Sequence, residues 1–191
     1  MLKLDDFQAR PFSAPGEYQG MIDYFVDADD SFLRGMGVER ALVPTKQDWL
    51  RAVLADHERP DDKKDRLYVG WFYRGSQIGH SSVNRIKVGE EAFFHLHLWR
   101  PDLRMAGAGT YLCRESIKIY FDRLRLKRLW CEPYAENPAP NRTLPKLGFD
   151  FVKRYHTVPG TINFEQDVNL YCLSKEAFES HDASGSSLRS P

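Results

Sequence analysis

The segment AFFHLHLW, residues 92–99, constrains the fold more than any other part of the chain. Side chains alternate across a strand, so the apolar side chains at 94, 96 and 98 share one face. The other face carries His95 and His97 between two aromatic side chains. Since neither face resembles a solvent-exposed surface, the pattern predicts a central strand covered on both sides.

Helical and extended patterns alternate around this strand. Residues 17–28 place Tyr18, Met21, Ile22 and Phe25 on one helical face. Residues 44–57 predict a helix in which Thr45 is the N-cap and Asp48 follows three residues later. The predicted order is a strand, helices, three strands, a helix, a strand, a short helix and two strands, which indicates a mixed α/β domain.

Length and composition narrow the class of protein. The 191 residues suit one domain over 1–179, and the small polar residues of 180–191 predict a disordered tail. A formal net charge of zero argues against a nucleic-acid partner, and no apolar run is long enough for a membrane span. The N-terminus lacks an apolar signal core, and the cysteine count is odd, so we expect a cytoplasmic protein with reduced thiols. Composition leaves a homodimer open.

Glycines precede the helix that follows the histidine strand. Gly107 and Gly109 stand where this helix should begin, and Arg104 adds a positive charge. The first amides of a helix lack partners within the helix and attract anions, and glycine lets a phosphate approach the backbone. The segment from Met105 to Thr110 therefore predicts a pyrophosphate site, although the dinucleotide fingerprint fails because no third glycine follows.

Two spaced motifs carry a resemblance to a known family. Arg104, Gly107 and Gly109 match the Arg/Gln-x-x-Gly-x-Gly/Ala signature of the GNAT acetyltransferase superfamily. Asn137 and the later Lys-x-Gly-Phe of residues 146–149 match its second signature. Within the superfamily, the chain resembles the branch that includes the ribosomal-protein N-acetyltransferases.

The resemblance implies a fold, a co-substrate and a set of contacts. The fold would be a mostly antiparallel sheet whose fourth and fifth strands splay apart, flanked by helices. Acetyl-CoA would lie in that gap, with no metal required. The implied cofactor contacts are Leu98, Trp99, Arg100, Arg104, Met105, Ala106, Gly107, Ala108, Gly109, Thr110, Asn137 and Asn141.

The resemblance also implies that a primary amine attacks the thioester directly in a ternary complex. The amine would enter between the first two long helices, the loop 32–44 and the hairpin near 157–164. A strand amide would polarise the thioester carbonyl. The acceptor class stays open between protein N-termini and small-molecule amines.

The two strand histidines are the candidate catalytic residues. A neutral imidazole can take a proton from an ammonium group, directly or through water. His95 falls where one superfamily member carries a strand histidine, so it is the favoured base, with His97 as its relay partner. Two alternatives are structural hydrogen-bonded histidines and metal ligands, but a metal site would need ligands that no nearby cluster supplies.

One position departs from the family pattern. Leu144 stands where many members carry a tyrosine that protonates the departing thiolate. Tyr111, Tyr134 or a water molecule is left as a substitute acid. The departure motivates an alternative, a non-catalytic acyl-CoA-binding or regulatory domain. A further alternative is a transferase for longer acyl groups, with an acyl pocket shaped by Phe93, Trp99 and Trp130.

Overall fold

The computed structural model describes residues 3–100, 102–103 and 107–186, and for 182–186 the backbone alone. Seven strands form one sheet in the order β1-β2-β3-β4-β5-β7-β6. The strands are β1 Phe7–Pro11, β2 Arg66–Tyr73, β3 Ser76–Lys87, β4 Glu91–Leu98, β5 Arg128–Cys131, β6 Asp150–Thr157 and β7 Gln166–Ser174. Every neighbouring pair is antiparallel except β4 and β5, which are parallel. The mixed, mostly antiparallel sheet predicted above is confirmed.

Six helices accompany the sheet in the described part of the chain. They are α1 Gly16–Val26, α2 Asp30–Gly35, α3 Lys46–His57, α4 Ala108–Leu124, α5 Pro138–Thr143 and α6 Lys175–Ser186. The predicted N-cap of α3 is confirmed, since Thr45 Oγ1 accepts the Asp48 amide at 3.2 Å. A left-handed Gly148 (φ 89°) follows the short 3-10 turn after α5, as its position in the second motif predicts.

Helices cover both faces of the sheet. One apolar core lies against α4 and α6 and includes Phe94, Cys113 and Ile117. A second core on the opposite face is built from α1 and α3. The predicted apolar face of α1 is buried in this second core. The histidine strand β4 lies between the two layers, as its two apolar faces predict.

The sheet opens between β4 and β5. Their pairing ends at Phe93 and Trp130, although β4 continues to Leu98. Beyond that point, the thiol of Cys131 donates to the carbonyl oxygen of Phe94 at 3.0 Å. The predicted splay is therefore present, and it leaves the second half of β4 without β5 alongside.

The C-terminal part differs from the sequence-based prediction. Helix α6 runs from Lys175 to Ser186, across the predicted boundary at residue 180. Phe178 is buried against the core, and Ser174 Oγ accepts the Ala177 amide at 3.1 Å, so local contacts hold the helix start. Residues 187–191 of the predicted tail lie outside the described residues.

Candidate functional site

A large cavity of about 1120 Å³ passes through the gap between β4 and β5. At one end it reaches the start of α4 and one face of α5. At the other end it reaches α1, α3 and the segment that contains α2. The walls in between carry His80, His95 and His97. The cavity therefore joins the predicted phosphate loop to the predicted acceptor side through the histidine strand.

The backbone of β4 is exposed to this cavity in a defined register. The Trp99 amide donates to the Ile78 carbonyl on β3 at 2.9 Å, and alternate residues of a strand direct their backbone groups to opposite sides. Leu96 therefore directs its amide into the gap, because it lies an odd number of positions from Trp99. Leu98 directs its amide into the gap by the same rule, and both residues line the cavity.

The start of α4 forms the first end of the cavity. Gly107 is its N-cap in the left-handed region (φ 71°), a conformation that glycine adopts at little cost. A Cβ placed on Gly107 would have no described atom within 4 Å, so there is room beside the backbone here. The amides of Ala108, Gly109 and Thr110 belong to the first turn, which has no carbonyl partners within the helix. Arg104, Met105 and Ala106, the other predicted contacts of this loop, lie outside the described residues.

Helix α5 lies across the cavity mouth from α4. Asn137 lines the cavity and caps α5, where its side-chain oxygen accepts the Ala139 amide at 3.3 Å. Arg142 and Lys146 also line this end and are exposed. Sequence reasoning did not select these two cations as site residues, and their charge suits a phosphate-bearing ligand.

The side chain of Asn141, another predicted cofactor contact, is hydrogen-bonded within the protein. Its amide nitrogen donates to the carbonyls of Tyr134 and Asn137, at 2.9 and 2.7 Å. Its oxygen accepts from Asn169 and Tyr171, at 2.8 and 3.1 Å. Since both donors and both acceptor sites are used, Asn141 holds the loop before α5 and has no group left for a ligand.

The other predicted contacts are Leu98, at the end of β4, and Trp99 and Arg100, which follow it. Leu98 lines the cavity, and its side chain packs against Gly109. Trp99 uses its amide on Ile78 and donates its indole N–H to His80 Nδ1 at 3.2 Å. Arg100 is exposed and makes a two-point ion pair with Asp102, at 2.6 and 2.8 Å. Of these three residues, Leu98 has the position expected for a co-substrate contact.

Three histidines, and not two, form a cluster on the cavity wall. The β3–β4 register sets His80 opposite His97, and their rings stack with centroids 4.9 Å apart and planes 20° apart. The edges of Tyr24 and Phe25 from α1 also meet the His97 ring, with centroids 5.7 and 5.1 Å away. Sequence reasoning left His80 out because strand register cannot be read from one strand.

Hydrogen bonds engage two of the three imidazoles. His95 Nε2 lies 3.0 Å from the side-chain amide oxygen of Asn84. The Trp99 indole only donates, so His80 accepts at Nδ1. His97 makes no hydrogen bond to any described residue, and its partly buried ring lines the cavity. Neither ring nitrogen of His97 is engaged by a described residue, whereas His95 has only Nδ1 unengaged.

Burial keeps the cluster neutral at pH 7. Desolvation, followed by the positive charge of Arg66, lowers the pKa of His97 to about 4. Desolvation also holds the pKa of His80 and His95 well below the ordinary value, with further contributions from Arg66 and the neighbouring imidazoles. Neutral imidazoles can accept a hydrogen bond or a proton, but such low pKa values make them weak bases.

The family's usual acid position is filled by core packing. Leu144 is fully buried in the core beside α4. Of the two tyrosines weighed as substitutes, Tyr134 lines the cavity, and its hydroxyl has no hydrogen-bond partner among the described residues. Tyr111 instead packs against the core. Of these two tyrosines, only Tyr134 lines the cavity.

Two cysteines line the cavity near the gap. Burial raises the pKa of the thiols of Cys113 and Cys131, so both stay protonated near neutral pH. Both cysteines are free and buried. Thiols in this state are poor nucleophiles, which fits direct attack by the amine.

A buried carboxylate was also missed by sequence reasoning. Glu132 directly follows β5 and lines the cavity, and 8% of its side chain is exposed. Arg85 Nη1 lies 3.0 Å from one carboxylate oxygen, and the Tyr155 hydroxyl donates to the other. The left-handed backbone of Arg85 (φ 48°), in the irregular end of β3, brings this cation to β5. Spacing in the sequence carries no signal for such a contact.

The far end of the cavity has an aromatic and apolar wall. It is lined by residues of α1, α2 and α3 and by the segment 159–163 before β7. These are the elements that the resemblance implies for acceptor entry. Phe93, Trp99 and Trp130, the residues considered for a longer acyl group, do not line the cavity. The structure therefore gives no support to that acyl pocket.

Among the described residues, no group of three or more His, Cys, Asp or Glu side chains is arranged to hold a metal ion. None of the described helices has the length and apolar character of a membrane span.

Comparison with known families gives a direct match. Residues 18–150 match the family model described as acetyltransferase (GNAT) domain. No curated protein matches the chain at the level of sequence.

Solved structures share the fold at low sequence identity. RimL, a ribosomal L7/L12 α-N-protein acetyltransferase solved with coenzyme A, is 15% identical with a TM-score of 0.71, over 90% of this chain and 96% of that chain. The spermidine N-acetyltransferase of Vibrio cholerae, solved with CoA and spermine, is 15% identical with a TM-score of 0.72, over 92% and 99%. MccE, a microcin C7 self-immunity acetyltransferase solved with acetyl-CoA and AMP, is 17% identical with a TM-score of 0.70, over 89% and 93%.

Proposed function

Since the chain belongs to the GNAT acetyltransferase domain family, we propose that it transfers the acetyl group of acetyl-CoA to a primary amine. The observation that carries this proposal is the continuous cavity through the gap between β4 and β5. It gives a thioester access to the exposed β4 backbone from the α4 side, and an amine access from the α1 and α3 side.

The residues at the α4 end fit acetyl-CoA. The first-turn amides of α4, the open space beside Gly107 and the cations of Arg142 and Lys146 suit its phosphates. The gap beside Leu96 and Leu98 suits an extended arm. Acetyl-CoA, when bound, supplies an activated acetyl thioester, and the chain orients it and excludes water.

The histidine cluster handles the acceptor's proton in this proposal. An ammonium group must lose its proton before its nitrogen can attack. The ring of His97 lines the cavity, and we assign it the direct contact with the amine or with a bridging water. His95, fixed by Asn84, offers Nδ1 as a second acceptor. Because both pKa values are low, the histidines would hold the amine or pass its proton towards solvent instead of storing it.

Tyr134 is the proposed proton donor to the departing thiolate. It lines the cavity close in sequence to α5, where the resemblance implies such an acid. A thiolate is a tolerable leaving group because an ordinary thiol pKa is about 8.5, so the acid contributes only part of the rate.

The alternative proposal, a binding or regulatory domain without catalysis, has one supporting observation. Leu144 is buried, so the usual acid position holds no acid at all. Detection of acetyl transfer to any amine would decide against this alternative.

The test has two stages. Thermal unfolding is first measured with acetyl-CoA, CoA or NAD, since a ligand that binds only the native state raises its stability. We expect a shift with acetyl-CoA and CoA and none with NAD. An amine library is then incubated with acetyl-CoA while free CoA thiol is measured. Stabilisation by CoA species without turnover on any amine would favour the binding-domain alternative, and no stabilisation would contradict both.

The proposed location is the cytoplasm. Its support is that all three cysteines are free, as expected in a reducing compartment.

A further inference from the structure

Arg66 lies in the acceptor half of the cavity and makes no ion pair with any described residue. It begins β2, is partly buried and lines the cavity wall. Its backbone amide donates to Asp56 Oδ2 at 3.0 Å, which anchors the start of the strand to α3. Its guanidinium makes no ion pair or hydrogen bond with any residue the structure describes. An arginine of this kind is ready to bind an anion in two-point geometry.

The sheet register places this guanidinium close to the histidine cluster. Arg66 is opposite Asn84 across the β2–β3 pair, and side chains of such a pair point to the same face. Asn84 is in turn hydrogen-bonded to His95. The positive charge of Arg66 also contributes to the low pKa of all three histidines, which places it within electrostatic reach of them.

The acidic residues of the same cavity are already engaged. Asp56 accepts from Arg59 at 3.0 Å and from two backbone amides. Asp65 pairs with the same Arg59 at 2.7 Å. Glu132 pairs with Arg85. Asp56 and Asp65 share Arg59, and none of the three carboxylates makes an ion pair with Arg66, so the donors of its guanidinium are left for a ligand.

The other cations that line the cavity are at its opposite end. Arg142 and Lys146 belong to the α5 side, next to the start of α4, where a phosphate-bearing co-substrate would lie. Arg66 is separated from them by β3, β4 and the gap. Its partner should therefore belong to the acceptor and not to acetyl-CoA.

We propose that the acceptor of this protein carries an oxyanion, a carboxylate or a phosphate, near its amine, and that Arg66 binds it. The inference rests on the proposed acetyl transfer and specifies its acceptor. The anion would pair with the guanidinium while the amine meets His97. The same positive charge disfavours an ammonium and favours the neutral amine that attacks. A polycation without an anionic group would meet repulsion at this point.

The test uses Arg66→Gln, with Arg51→Gln as the control. Arg51 belongs to α3, its side chain is 72% exposed, and it does not line the cavity. Binding is measured by calorimetry in the presence of CoA with pairs of product-like probes. N-acetylglycine and N-acetyl-L-leucine are compared with their neutral amides, and N-acetylphosphoethanolamine is compared with N-acetylethanolamine.

The wild type should bind at least one oxyanion probe about tenfold or more tightly than its neutral counterpart, as expected for a charge-assisted contact. Arg66→Gln should abolish this preference, and Arg51→Gln should keep it. The carboxylate and phosphate pairs separate the two sources of the anion. Equal binding of charged and neutral probes by the wild type, or a preference that survives in Arg66→Gln, would overturn the inference.

A second experiment measures acetyl transfer to glycine, L-leucine and phosphoethanolamine, with the neutral amines as controls. It separates the proposed acetyl transfer from the anion site at Arg66. Arg66-dependent binding of the anionic probes without transfer to any amine would contradict the proposed function and leave the anion site standing. Transfer without any preference for anionic acceptors would support the proposed function and contradict the anion site.

Discussion

His97 of β4 stacks on His80 of β3 at a centroid distance of 4.9 Å, and of the three clustered histidines only His97 makes no hydrogen bond to a described residue. His80 is 2% exposed and accepts the Trp99 indole, so it supports the His97 ring instead of facing the ligand. This division of roles between two neighbouring imidazoles makes His97 the first candidate for catalysis. We therefore expect the pH dependence of both activity and stability to depend on these buried histidines.

Replacing His97 tests its contact with the amine. His97→Gln should lower kcat/KM by about 10²-fold, the lower range for loss of a proton-transfer group. The catalytically competent neutral imidazole exists above its pKa of about 4. The wild-type profile should therefore show no inflection from this residue near pH 6.5, and its loss of activity on acidification should come below pH 5. The pH profile of kcat/KM for both proteins is the measurement.

The matched control is His156→Gln, an exposed histidine of β6. It should retain wild-type kcat/KM across the pH range. A His97→Gln enzyme with an unchanged rate and profile would rule out the assigned role, and the structural-histidine alternative would then stand.

The neutral cluster should also make stability depend on pH. The folded-state pKa of His97, about 4, is below its ordinary value of 6.5. Between these pH values the unfolded chain therefore binds a proton that the native state does not bind. Stability is therefore full above pH 6.5 and falls as the pH drops towards 4. Each such histidine adds a slope of up to about 1.4 kcal/mol per pH unit. Urea unfolding at several pH values measures the slope.

His80→Gln should make this slope shallower, because it removes a titrating group while keeping an acceptor for the Trp99 indole. His181→Gln, at an exposed position of α6, is the control and should keep the wild-type slope. Identical slopes for wild type and His80→Gln would show that His80 is not held neutral by the fold.

The fold was largely predictable because its signals are local. The periodicity of α1, the Thr45 cap and the Gly148 terminator each depend on residues within a few positions of one another. The family resemblance rested on two such local motifs and is confirmed by the family model. Helix α6 differs from prediction because its small polar sequence lacks periodicity, and the contact of Phe178 with the core is not local.

The site was less predictable because its geometry depends on register and on contacts between distant segments. Sequence order names His95 and His97, but only the β3–β4 register adds His80, and only Asn84 shows that His95 has one nitrogen engaged. Asn141 has a residue type suited to a ligand, yet its partners come from β7 and the loop before α5. Pairing across such sequence distances leaves no periodic signal.

Gly37 tests the attachment of the acceptor wall to the sheet. Its carbonyl accepts from Asn163 and Gln166 at 2.8 and 2.7 Å, which joins the end of α2 to β7. Gly37 is left-handed (φ 81°), and a Cβ there would lie 2.1 Å from Gln166 Oε1. Gly37→Ala should therefore destabilise the protein by about 2 kcal/mol or more, from strain and overpacking together. Urea unfolding gives the value.

Gly35→Ala, two residues earlier, is the matched control. It has no neighbour within 4 Å and no positive φ, and it ends helix α2. The substitution should be neutral or slightly stabilising, since alanine is the better helix former. Equal effects at the two positions would contradict the proposed contact between Gly37 and Gln166.

Tyr134 tests how the leaving thiolate is protonated. Tyr134→Phe removes the hydroxyl of the one candidate acid tyrosine that lines the cavity. The phenylalanine ring keeps the edge contact with Phe164, whose ring centroid is 5.6 Å away. We expect kcat to fall by about tenfold, less than a typical general acid contributes, because the thiolate departs tolerably alone. Stability should stay within about 0.5 kcal/mol of the wild type. Tyr111→Phe, whose ring packs against the core, should leave kcat unchanged. If Tyr134→Phe also leaves kcat unchanged, solvent is the proton donor, and Tyr134 does not replace the acid that is missing at Leu144.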